Sequence, residues 1–112
     1  MVASPGVASR AELVHQKLVY TREQRRVLDY ETARLLRIID DERLFEVFGC
    51  ASIFQYAEQE HGIKRGPAAD YLRVARRLDS LPEVARAFAA GELDKTKVRD
   101  IVRVATPSTE NA

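Results

Sequence analysis

The stretch SIFQYAEQEHGIKRGPAADYLRVARRLD, residues 52–79, decides the fold. Ser52-Ile53-Phe54-Gln55 fits a capping box, in which the serine and the residue three positions on satisfy each other's end of the chain and open a helix. Gly62 stands where a left-handed cap would stop that helix. Ile63 follows as the apolar anchor of a turn, and Pro67 falls in the first turn of the next helix, where its missing N–H costs nothing. From there Ala68, Tyr71, Leu72, Ala75 and Leu78 recur at three and four along one face. A short helix, a glycine-initiated turn and a longer helix over about 65–79 form the helix-turn-helix pattern. Arg65, Ala69, Arg73 and Arg77 follow one another at steps of four on the opposite face, with Arg76 beside them.

Working outward, the rest of the chain also reads as helix. β-branched residues never alternate with polar ones over a strand's length, whereas apolar residues recur at three and four, so the fold class is all-α. Met1–Ala8, with Pro5 and Gly6, reads as a disordered leader. Ser9 with Glu12 forms a second capping box, and the segment 9–48 follows. Its apolar positions are Leu13, Val14, Leu18 and Tyr20, then Val27, Leu28, Leu35, Leu36, Ile38 and Ile39. One long helix and a helical hairpin broken near Thr21 both satisfy this pattern. Phe45, Val47 and Phe48 form an apolar knot that Gly49 terminates. A helix-turn-helix-containing domain spans 49–107. In it Ser80-Leu81-Pro82-Glu83 caps a helix carrying Val84, Ala85 and Phe88, which stops at Gly91. Asp94 caps a last one with Val98, Ile101, Val102 and Ala105 on one face, ended by Pro107 before a tail over 108–112.

The 112 residues allow one ordinary domain. Their net charge of +1 hides an asymmetry. Residues 1–63 carry eight Lys/Arg and ten Asp/Glu, whereas 64–112 carry ten and seven. Asp40 to Glu60 holds six acids against Arg43 alone; Lys64 to Arg77 holds five bases against Asp70 alone. The basic surplus is mostly arginine, whose planar fork binds phosphate and base edges in a way lysine cannot. A helix held by its apolar face and offering arginines to a major groove is what duplex DNA recognition requires. Lys95, Lys97, Arg99 and Arg103 on the last helix stand to contact phosphates beside it.

Catalytic constellations are missing from the sequence. His15 and His61 lie 46 positions apart and in no metal-ligand spacing. Cys50, the single cysteine, has no base arranged near it, and one cysteine excludes an internal disulfide. Asp40, Asp41 and Glu42 are adjacent on a helix and point in different directions, which makes them a solvated run rather than a metal site. There is no phosphate loop, so no cofactor is implied. No apolar run approaches a membrane span and the first residues do not read as a signal peptide, so a cytoplasmic location is expected.

From Val27 to Glu110 several blocks carry a resemblance. Arg43-Leu44, Gly49-Cys50-Ala51-Ser52-Ile53-Phe54-Gln55-Tyr56-Ala57, Tyr71 through Leu78, Leu81-Pro82, Ala90-Gly91-Glu92-Leu93, Thr96-Lys97-Val98-Arg99 and Val104 through Glu110 resemble the helical region that precedes the nuclease domain in bacterial HNH endonuclease family proteins. Tyr56 through Leu93 is also similar to the helix-turn-helix of ParB partition proteins, where a Leu-Pro and a Gly-x-Leu follow the recognition helix. The resemblance implies a DNA-contacting helical module that accompanies a nuclease, associated with the bacterial nucleoid. Lys64 departs from the Ser or Thr that often caps the recognition helix in the wider family, which moves the cap to Gly66. The HNH site itself, with its His base, metal ligands and orienting Asn, is missing from these residues; Asn111 is the only asparagine.

The sequence therefore reads as a non-catalytic module that binds duplex DNA, with Lys64, Arg65, Arg73, Arg76 and Arg77 at the groove and Lys95, Lys97, Arg99 and Arg103 at the backbone. The alternative is a helical interaction module with no DNA role, forming a homodimer through residues 13–39, where Leu28, Leu35 and Ile39 recur at seven and four. A third reading places a nuclease activity beyond Ala112.

Overall fold

The computed structural model describes residues 5–106. Five α-helices account for most of them: α1 (Pro5–Asp41), α2 (Ile53–His61), α3 (Arg65–Arg77), α4 (Pro82–Ala89) and α5 (Lys95–Val104). Two short 3-10 turns, Leu44–Phe48 and Leu78–Ser80, join them. No strand occurs among the described residues, and the fold is all-α.

Helix α1 is one unbroken rod of 37 residues. Thr21 does not interrupt it, because its hydroxyl donates to the Lys17 carbonyl at 2.8 Å and folds the polar side chain back onto the helix. Nor does Ser9 cap it. The helix already starts at Pro5, so Ser9 is internal and the leader expected over 1–8 is helical from its fifth residue. A proline opening a helix gives up an N–H that would have had no intrahelical partner.

The helix-turn-helix forms as the spacing predicts. Ser52 Oγ accepts from Gln55 N at 3.1 Å, and Gln55 Oε1 accepts in return from Ala51 N at 2.7 Å. Gly62, at φ 67°, lets its own N–H reach Glu58 O and that of Ile63 reach Ala57 O, each at 3.0 Å, a Schellman closure. Helix α3 opens at Arg65 with Lys64 as its cap residue. No side chain caps it, so the cap does not move to Gly66.

Two further expectations are corrected. Ser80 does not cap α4; its hydroxyl turns back to Arg77 O at 3.1 Å, and the buried Leu81 takes the cap position. Helix α5 ends at Val104, and Pro107, expected to stop it, lies outside the described residues. Asp94 does cap α5, its carboxylate accepting from Lys97 N at 2.8 Å.

Helix α3 is the central element because two cores meet along it. Ala68, Tyr71, Leu72 and Ala75 join Ala33 and Leu36 of α1, Phe45, Cys50, and Ile53, Tyr56 and Ala57 of α2. Val74 and Leu78 turn the other way, into Leu81, Val84, Phe88, Val98 and Val102 of the α4–α5 end. Tyr30 of α1 closes this second core edge-on against Phe88, centroids 5.7 Å apart. Only the C-terminal half of α1 takes part. Its N-terminal half projects, which gives a radius of gyration of 18.1 Å where a compact chain of this size has about 13 Å.

Candidate nucleic-acid interface

The residues expected to bind DNA are all near the solvent face of α3 and α5, but they divide into two groups. Arg73, Arg77 and Arg99 meet along the seam between the two helices. Asp70 is the hub: Arg73 Nη1 lies 2.8 Å from its Oδ1 and Arg99 Nη1 3.8 Å from its Oδ2. Arg99 also pairs with Asp100 at 3.4 Å. Arg77 Nη2 donates to the Ala105 carbonyl just past the end of α5, tying that terminus to α3. Arg103 stands exposed one turn beyond Arg99 on α5. Lys97 is exposed in the first turn of α5, and Lys64 at the start of α3. No described residue forms an ion pair with Lys64, Lys97 or Arg103.

The other group is drawn to neighbouring helices. Arg65 stacks its guanidinium over Phe54 of α2, 4.2 Å from the ring centroid. Lys95 lies over the ring of Tyr71 at 5.1 Å. Arg76 crosses to α1, its Nη2 2.6 Å from Asp40 and 3.0 Å from Asp41. The hydrogen bond from Arg76 holds the Asp41 carboxyl below its ordinary value, with Arg37 assisting. Between α3, α4 and α5 a cavity of about 230 Å³ is lined by Asp70, Tyr71, Lys95, Thr96 and Arg99 among others.

Several contacts that hold this surface in place carried no signal in the sequence. Arg37 joins Asp79 at 2.7 Å, Asp41 at 3.2 Å and the Ala75 carbonyl at 3.1 Å, linking α1 to the last turn of α3 and to the 3-10 turn that follows it. Tyr71 donates its hydroxyl to Asp29 at 2.7 Å; burial, followed by that bond, pushes the phenol well above its ordinary value. Arg26 reaches from α1 to the Gly91 carbonyl at 3.5 Å, and near it lies Asp94 at 4.0 Å. A spacing of 42 or 65 residues cannot be seen as a contact from one sequence.

The candidate catalytic groups are dispersed. His15 is exposed on the projecting half of α1. The His61 ring shares a hydrogen bond with the Tyr56 hydroxyl at 2.9 Å. Cys50 is buried, with its thiol toward Phe48 O. Among the described residues no group of three or more His, Cys, Asp or Glu is placed to hold a metal ion, and no helix is long and apolar enough to cross a membrane.

The fold and this surface thus define a small all-α domain built on a helix-turn-helix, with an arginine-lined seam between α3 and α5. Residues 14–111 match the profile of a domain family of unknown function, DUF222, and the chain belongs to that family. No curated protein and no solved structure matches the chain.

Proposed function

We propose that this domain is a non-catalytic DNA-binding module that contacts duplex DNA with the α3–α5 seam. The observation that carries the reading is the gathering of Arg73, Arg77, Arg99 and Arg103 along one solvent-facing edge, with Asp70 and Asp100 as the acids among them. Helix α3 is buried on both flanks, so that edge is presented on a rigid support, as groove or backbone contact requires. Exposed Lys97 and Lys64 extend the positive surface to the starts of the two helices. Arg65 and Arg76 serve the reading less, since an aromatic ring and two carboxylates already engage them. The ion pairs at Asp70 do not close the surface to phosphate. Exposed pairs contribute about 0–1 kcal/mol, and a phosphate group offers arginine the same bidentate pairing as a carboxylate. The resemblance of several sequence blocks to the helical region that precedes the nuclease domain in HNH endonuclease family proteins agrees with a DNA-facing role.

The test compares wild type with an Arg73→Gln/Arg103→Gln double variant in salt-dependent binding to duplex DNA. Both side chains are exposed, and neither ties the helix ends together as Arg77 does. Every phosphate that the variant no longer neutralises lowers the slope of log affinity against log salt by about 0.9. An unchanged slope rejects this surface.

A further inference from the structure

We infer that α1 carries a docking face for a second copy of this chain, running antiparallel along it. From Gly6 to Arg25 every described side-chain position of α1 is exposed except Val19. A polar helix of that length is marginal on its own in water, so its order depends on something packed beside it. The face to be covered has a repeat of 3.5. Val7, Val14, Leu28 and Leu35 fall in one column, interrupted by Thr21. Ala11, Leu18 and Ile39 fall in the column between, interrupted by Arg25 and Thr32, which is the spacing of a two-helix coil with a polar middle. Val7, Val14, Leu18, Leu28 and Leu35 are 44% to 64% exposed. At its C-terminal end the seam runs into an apolar groove of about 530 Å³ formed by Leu35, Ile38 and Ile39 with Tyr56 and Ile63.

Charge identifies the occupant and its direction. Residues 10–26 of α1 hold five bases and two acids, whereas residues 27–41 hold four acids and two bases, with Asp40 and Asp41 already engaged by Arg76 of α3. A parallel copy sets like charge on like. An antiparallel copy sets the basic half of each helix on the acidic half of the other, related by the two-fold symmetry usual in homodimers. Aligned about Glu23, the helices bring Leu18 of each chain against Leu28 of its partner and seat the Val7 end of each in the groove beside Ile39 of the other. The face lies on α1, away from the α3–α5 seam, so this inference stands apart from DNA binding.

The full chain is studied by sedimentation equilibrium, then by oxidative cross-linking of a mixture of Leu18→Cys and Leu28→Cys chains. Cys50, being buried, stays out of the reaction. The expected results are a dimer that becomes monomeric, with helix content lost from the projecting half of α1, in a Leu18→Glu/Leu28→Glu variant, and a mixed Leu18→Cys–Leu28→Cys cross-link as the main product. A monomeric wild-type chain overturns the inference, and so does preferential cross-linking of Leu18→Cys chains to one another.

Discussion

Arg76 on α3 and Asp40 near the end of α1 are in direct contact, 2.6 Å apart, although 36 residues separate them. Asp41 shares the same guanidinium nitrogen at 3.0 Å. The acidic stretch that begins at the end of α1 and the basic helix α3 are therefore partly one feature. The start of the first neutralises one arginine of the second and fixes how α3 lies on α1. What remains of the basic surface is displaced toward α5.

That contact makes stability depend on acid. The Asp41 carboxyl is held below its ordinary value of 3.8, first by the hydrogen bond from Arg76. A carboxyl with a depressed folded-state pKa adds stability that is present above the unfolded value and disappears as pH falls through the folded one. Urea unfolding followed from about pH 6 to about pH 2 should show the midpoint falling below about pH 4, and Asp41→Asn should reduce that fall. Equal acid sensitivity in the two proteins would remove Asp41 from the account.

Gly91 and Gly66 should respond in opposite directions to alanine. Gly91 has φ +79°, and a Cβ there meets the Glu23 carbonyl oxygen at 2.9 Å and Val27 Cγ2 at 3.1 Å. Strain and collision together should make Gly91→Ala cost about 2 kcal/mol or more, because the loop before α5 must lift from α1. Gly66 sits in the first turn of α3 with nothing within 4 Å of a Cβ. Gly66→Ala should gain up to about 1 kcal/mol by limiting the unfolded chain. Urea midpoints of the two variants check both signs.

Tyr71→Phe should destabilise the fold by about 1–2 kcal/mol without altering its shape. The variant keeps the ring in the core and removes only the donor that satisfies half-buried Asp29 on α1. Chemical denaturation with an unchanged circular dichroism spectrum is the readout, and a neutral variant would show that the α1–α3 bond contributes nothing net.

Three of the expected caps were legible in the sequence because their partners are local. Ser52, Gly62 and Asp94 act as their local pattern predicts. Ser9 and Ser80 failed for the same local reason, since a better start at Pro5 and a competing carbonyl at Arg77 outweighed each. The periodic face of α3 was visible, but Val74 fell outside it because it packs on a second core contributed by α4 and α5. The arginines were found as a set and not as an arrangement. Which of them meet Asp70, Phe54 or Asp40 depends on how α1, α2 and α5 pack, and helical spacing carries none of that. Gly91 read only as a stop, whereas its lack of a side chain is what lets the loop lie on α1.

The central claim is tested most directly by a fluorescence-anisotropy titration of the full chain with random-sequence duplex DNA at two salt concentrations. The account predicts binding at low salt that weakens steeply at the higher one, as expected when three or four arginines of the α3–α5 seam release counterions from phosphates. No binding at low salt, or binding indifferent to salt, would contradict it and leave the helix-turn-helix as a scaffold for α1.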